Sequence, residues 1–318
     1  VEHRHLGESG LVASAIGLGC NNLGRPGTAT ESLAGARAVV HAAVDAGITF
    51  FDVADAYGAP RGRSEELLGQ ALSGRRDGAV IATKFGVDMQ GANGPDFGAR
   101  GSRRYVRRAV EASLRRLGTD WIDLYQVHRP DPHTPITETL SVLADLVREG
   151  LIRYVGVCNF AGWQVADAHW SAPKDVRPVT AQNHYSLLER ETERELVPAC
   201  AHYGLSLLPY FPLANGLLTG KYARDHAPPE GSRLAGRHRL LAEAPWDRID
   251  RLRDFAGERG ITMSMLALGW LAARPGVGSV IAGATTPDQV LANARAARWR
   301  PTEQEMAELD DICPPGRR

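Results

Sequence analysis

Between residues 52 and 128 the chain carries an acid, a phenol, an ammonium and an imidazole: Asp52, Tyr57, Lys84 and His128. Each stands at the end of a short apolar run or in the loop just after it. An ammonium held by a carboxylate as an ion pair lowers the pKa of a phenol beside it, from about 10 toward the working range of a general acid. The sequence therefore predicts that Lys84, paired with Asp52, depresses the Tyr57 hydroxyl. An imidazole in reach can hydrogen-bond a carbonyl oxygen and orient it. The four together suit protonation of an alkoxide as it forms. Further along, Asn159, Gln182 and Tyr210 also fall at run ends. One polar residue at a strand end is ordinary, because strand ends meet water. An acid, an ammonium, an imidazole and two amides on one rim point to a site.

The elements that must bring these residues together are legible as a rhythm. Apolar, β-branched runs begin near Ala15, Ile48, Ala79, Ile122, Ile152, Val179, Leu205 and Gly278. The first seven recur at the spacing of a strand–helix unit, and the interval before the eighth is far longer. Helical spacing fills the gaps: Val106, Val110, Leu114 and Leu117 after a Ser102 N-cap, Leu140, Leu143, Ala144 and Val147, and Leu67, Leu68, Ala71 and Leu72 after a Ser64 cap. Gly47, Gly118, Gly150 and Gly204 follow helical stretches, where a left-handed residue ends the helix. An open dinucleotide sheet would show G-x-G-x-x-G after its first strand, but Gly17-Leu18-Gly19 runs into Cys20-Asn21-Asn22. Eight units in one series predict an α/β fold, a closed (β/α)8 TIM barrel over residues 1–318 as a single domain. Residues 1–12 read as an N-terminal β-hairpin turning at residues 8–10 and covering one barrel end, and a long insertion follows the seventh strand.

Composition narrows the function classes. Among 318 residues, 37 Lys+Arg balance 37 Asp+Glu, which argues against a nucleic-acid or anionic-membrane partner. With 43% hydrophobic and 23% charged residues the chain is a folded globule. No run approaches the roughly 18–20 apolar residues of a bilayer span, and the first residues lack a signal-peptide layout, so a cytoplasmic protein is expected. Cys20, Cys158, Cys200 and Cys313 lie far apart and are expected as reduced thiols. No metal site is expected: His3 and His5 sit on the hairpin, and His128 and His133 on a Pro-rich loop. Residues 216–222 (GLLTGKY) are one residue short of a P-loop and end in Tyr. A Schiff base on Lys84 would leave Asp52 and Tyr57 without roles. Asp52 and Asp55 are too close in sequence for the opposed carboxylates of a glycosidase.

These residues carry a family resemblance. Asp52, Tyr57, Lys84 and His128, with residues 52–58 (DVADAYG), 64–69 (SEELLG), 82–86 (ATKFG), 123–131 (DLYQVHRPD), 150–159 (GLIRYVGVCN) and 216–222, resemble the aldo-keto reductases. The H-R-P-D form and the long insertion are similar to the bacterial branch near potassium-channel β subunits. The resemblance implies NADPH-dependent reduction of an aldehyde or ketone, with Tyr57 as proton donor, His128 orienting the carbonyl, and Lys84 paired with Asp52. Asn159 and Gln182 would then meet the nicotinamide carboxamide and Tyr210 the nicotinamide ring, with Gly19 on the same rim. Leu213, Gly216, Leu218 and Lys221 would line the pyrophosphate, together with Phe211 and Pro212. Gly283, Thr285, Gln289 and Asn293 would meet the adenosine end, and Arg233 a 2′-phosphate.

The chain departs from the family where Cys158 and Phe211 replace the usual serines. Its loop at residues 284–286 lacks the usual cation for a 2′-phosphate, which leaves NADP(H) preferred and NAD(H) possible. Asn21, Asn22, Met89, Arg129 and Trp163 are candidate contacts for a small-molecule carbonyl or sugar substrate. Two other readings stay open: an NADP(H)-binding regulatory subunit with little turnover, and a sugar lactol dehydrogenase working in the oxidative direction. Oligomeric state is not legible in the sequence.

Overall fold

The computed structural model describes residues 1–315. Two short strands, β1 (His3–His5) and β2 (Val12–Ser14), pair antiparallel as a hairpin. Eight parallel strands follow: β3 (Ile16–Gly19), β4 (Phe50–Asp52), β5 (Val80–Phe85), β6 (Ile122–Val127), β7 (Ile152–Cys158), β8 (Thr180–Gln182), β9 (Ser206–Leu207) and β10 (Val280–Gly283). Their order round the sheet is β10-β3-β4-β5-β6-β7-β8-β9. The ring is closed between its ends by Leu207 N to Gly276 O at 2.8 Å, Gly278 N to Leu207 O at 2.9 Å and Ile281 N to Pro209 O at 2.9 Å. This is the (β/α)8 barrel, with every strand where an apolar run predicts one.

Helices α1 (Leu33–Asp45), α2 (Arg63–Ala71), α3 (Arg103–Leu117), α4 (Ile136–Arg148), α5 (Gly162–Ser171) and α6 (Leu196–Tyr203) alternate with the strands. The long interval before β10 holds α7 (His238–Ala242), α8 (Trp246–Glu258) and α9 (Met263–Ala273), and α10 (Pro287–Ala296) and α11 (Glu303–Ile312) follow β10. Because helices cover the sheet outside and side chains fill it inside, the strands are buried on both faces rather than on alternate residues. Gly47, Gly118, Gly150 and Gly204 take φ of +81°, +62°, +77° and +69°, the left-handed stops that the pattern predicts.

The hairpin closes the end of the barrel at which the strands begin. Leu6, Leu11 and Ala13 pack with Phe50, Ala82, Leu124, Leu208 and Ile281 in one buried cluster. A Cβ on Gly278 would come within 2.5 Å of Leu6 Cδ2, so this seal depends on a glycine. The reacting groups are left to the opposite end. Two predicted caps are corrected. Gly62, at φ +89°, precedes α2, and Ser64 lies inside the first turn, where its buried hydroxyl donates to Cys20 O at 2.6 Å. Ser102 occupies the N-cap position of α3, but its hydroxyl donates back to Ala99 O at 2.7 Å instead of accepting from the helix. All four cysteines are free and buried. Among the described residues no helix is long and apolar enough to cross a membrane.

Candidate active site

Asp52 ends β4 and Lys84 stands next to the end of β5, so both point into the barrel at the ends of the strands. Lys84 Nζ donates to Asp52 Oδ2 at 2.7 Å and to Val53 O at 2.9 Å, and the pair is almost wholly out of water. The other Asp52 oxygen accepts from Gln182 Nε2 at 2.8 Å. His128 follows β6 directly, and its backbone N–H continues the ladder to Phe85 O at 2.7 Å. Tyr57, in the loop after β4, is half-buried. Its ring centre lies 5.1 Å from Lys84 Nζ and 5.9 Å from the His128 ring, which it meets edge-on. Four residues from three strand ends and one loop thus form one cluster.

Burial would strip Lys84 of its proton, but Asp52 foremost, with Tyr57 and Cys158 adding to it, reverses this and its pKa is raised. Burial and the charges of Lys84 and Arg129 hold the His128 imidazole down to about 3, so it is neutral at physiological pH. For Tyr57 the sequence-based expectation is corrected. Burial pushes the phenol up to about 12, and the pull of Lys84 only reduces that rise. The hydroxyl is therefore fully protonated at neutral pH, and the ammonium acts on it by tempering desolvation.

A cavity of about 590 Å³ opens over this cluster, walled by Gly19, Asn21, Asp52, Tyr57, His128, Arg129, Asn159, Gln182 and Tyr210 at the chemical end. It continues past Phe211, Pro212, Leu213, Gly216, Lys221 and Arg233 to Gly283, Thr285, Gln289 and Asn293. Tyr210 Oη donates to Asn159 Oδ1 at 2.7 Å, and Asn159 Nδ2 donates to His128 O at 2.9 Å. His184 stacks on the Tyr210 ring with centroids 5.6 Å apart, fixing its plane. Beyond it the chain makes a left-handed turn: Ala214, Asn215 and Gly216 take φ of +45°, +59° and +106°. Ala214 N donates to Phe211 O and Gly216 N to Leu213 O, each at 2.8 Å, so the turn is closed by its own backbone hydrogen bonds. At the far end, Thr286 caps α10 by accepting from Gln289 N, and Asn293 Nδ2 holds Gly283 O at 3.3 Å.

Four expected contacts are not on this wall. Met89 turns inward from its loop and is buried. Leu218 packs in the main core, and Trp163 is 63% exposed on α5. Cys158 lies behind the wall in the field of Lys84 and Asp52, with burial raising its thiol pKa. Lys84 likewise acts from behind rather than from the wall. Arg25 and Thr28 from the loop after β3, Asn215 and Thr219 from the insertion, and Ser264 also line the cavity, though the sequence singles out none of the five. Arg25 had a signal, a charged residue between turn formers in Gly24-Arg25-Pro26-Gly27. Ser264 had none, since it comes from a helix that reads as uniformly buried.

A closed barrel whose strand ends join a buried acid–ammonium pair to a phenol and a neutral imidazole defines a class of barrel oxidoreductase. The chain belongs to the aldo/keto reductase family, whose model matches residues 15–313. It is 35% identical over 310 residues to a probable voltage-gated potassium channel subunit beta of Oryza sativa subsp. japonica, covering 93% of this chain and 91% of that one. It is 34% identical over 330 residues to the L-glyceraldehyde 3-phosphate reductase of Escherichia coli (strain K12), covering 98% and 92%. An uncharacterized oxidoreductase of Bacillus subtilis (strain 168) is 36% identical over 322 residues, covering 99% and 96%.

Proposed function

We propose that the protein reduces an aldehyde or ketone to the alcohol, with NADP(H) in the long arm of the cavity and Tyr57 as general acid. The observation that carries this is the Lys84–Asp52 pair at 2.7 Å, buried behind a phenol that opens on the cavity beside His128. The wall fits a dinucleotide. It offers an aromatic ring of fixed plane and the cations Lys221 and Arg233, with Nε of Arg233 buried and unpartnered. When bound, the nicotinamide supplies the hydride. The neutral His128 donates a hydrogen bond to the substrate oxygen and fixes its place. As negative charge grows on that oxygen, the Tyr57 O–H bond breaks and its proton passes to the alkoxide, a far stronger base than a phenolate. The phenolate left behind faces the Lys84 ammonium until water returns its proton. Asp52 keeps Lys84 charged and in position.

Tyr57→Phe tests this reading. Turnover of a broad aldehyde and ketone panel with NADPH should fall by roughly 10²–10⁴-fold, while NADPH binding survives. The relative named as a channel subunit supports a second reading, a dinucleotide-binding regulatory protein. Tight NADPH binding with no turnover on any carbonyl by the wild type would favour it.

A further inference from the structure

Of the residues around the cavity, the cations are the ones whose charges are not accounted for. Arg25, Arg129, Lys221 and Arg233 line it, and the only carboxylate among its described lining residues is Asp52, already taken by Lys84. Arg233 lies over the Phe211 ring at 5.1 Å. Burial, then the charges of Arg25 and Arg237, lower its pKa, so the arginines stand in one another's field. Gathering like charges in a partly dry cavity costs free energy unless an anion joins them.

Arg25 is also deliberately placed. Gly24 and Gly27 take φ of +72° and +74°, which folds the loop after β3 into a tight turn. Arg25 N donates to Asn22 O at 3.2 Å, and Thr28 Oγ1 donates to Arg25 O at 2.8 Å. The backbone is thus held on both sides, while the guanidinium has only a long 3.5 Å contact to Asn22 Oδ1. Lys221 and Arg233 come from the other wall, the insertion between β9 and β10.

We propose that Arg25 holds a phosphate of the bound dinucleotide from the wall facing the insertion, so that the cofactor is clasped between two arginine-bearing loops. This rests on the reading that the cavity takes a dinucleotide. It adds a contact from the first strand's loop, and it predicts that affinity depends on salt through both walls.

The test is a titration of protein with NADPH and with NADH, followed by nucleotide fluorescence and by calorimetry, at low and at moderate salt. Arg25→Met should bind NADPH about tenfold more weakly at low salt, with a flatter salt dependence, and Arg25→Lys should recover most of the loss. Weakening of both nucleotides places Arg25 at the pyrophosphate, and weakening of NADPH alone places it at the 2′-phosphate; each supports the proposal. The urea midpoint of Arg25→Met without nucleotide should not fall below that of wild type, since its guanidinium makes no ion pair among the described residues and stands in the repulsive field of Arg233. Equal affinity of Arg25→Met and wild type for NADPH at low salt would overturn the proposal while leaving the cofactor reading intact. Failure of the wild type to bind either nucleotide would bring down both.

Discussion

Gln182, at the end of β8, donates to Asp52 at the end of β4 across the barrel, 2.8 Å between Nε2 and Oδ1. Asp52 Oδ2 meanwhile accepts from Lys84, so the carboxylate is gripped from two directions. Gln126 lies 3.5 Å from the same Oδ1, too far to replace Gln182 in full. Gln182→Leu would leave a buried carboxylate oxygen short of a donor. We expect it to lower stability by about 1–3 kcal/mol, read as a fall in the urea midpoint with unchanged slope. A midpoint equal to wild type would show that Gln126 takes over the bond.

Tyr57 is pushed up to about 12 by burial against the pull of Lys84. Removing that positive charge leaves desolvation unopposed, so Lys84→Met should raise the Tyr57 pKa further. Tyrosinate absorbance, taken as the difference between each protein and its Tyr57→Phe derivative, reports this group alone. A downward shift in Lys84→Met would contradict the electrostatic role assigned to the ammonium. The variant also strands Asp52 without its partner, at a cost of about 3–5 kcal/mol, so the measurement needs a stabilising additive.

His128 titrates near 6.5 when unfolded and is held down to about 3 in the fold, by burial first and then by Lys84 and Arg129. Below about pH 6.5 the unfolded chain binds a proton that the folded chain refuses. Stability is therefore whole above that pH and drains away as pH falls toward 3. His128→Gln has no such proton to bind. Between about pH 7 and pH 4.5 its urea midpoint should drop less than that of wild type, and parallel drops would remove His128 as a source of acid lability.

These predictions rest on residues that differ in how visible they are in the sequence. The strand ends were legible because parallel strands buried on both faces read as continuous apolar runs, and the residue that ends each run is displayed at the rim. That logic found Asp52, Lys84, His128, Asn159 and Gln182. It could not give the sign of the Tyr57 shift, which is decided by how dry the pocket is against how near Lys84 lies. Nor could it separate Leu218, which packs in the core, from Gly216 two residues earlier on the cavity wall. A turn with three successive left-handed residues has no periodicity from which side-chain direction can be read. The Ser64 cap failed for a related reason. Its hydroxyl has a tertiary partner, Cys20 O, that no local pattern announces.

Asp55 offers the sharpest separation of stability from chemistry. It is wholly buried beside Glu65, and Arg116 is the cation between them, bonding Glu65 Oε2 at 2.7 Å and Asn93 Oδ1 at 3.1 Å. Asn93 Nδ2 in turn donates to Asp55 Oδ2 at 2.9 Å, while Asp55 Oδ1 has no partner. Burial, then the Glu65 charge, hold the Asp55 carboxyl well above the usual range. A raised folded pKa means that the fold favours the protonated acid. Its contribution is full below the unfolded value near 3.9 and is lost as pH climbs through the raised one. Asp55→Asn keeps an acceptor for Asn93 and never ionises. It should therefore stabilise the protein more at about pH 8 than at about pH 4, as read by urea midpoints at both. An equal effect at the two pH values would mean that Asp55 stays ionised in the fold, with Arg116 neutralising both acids.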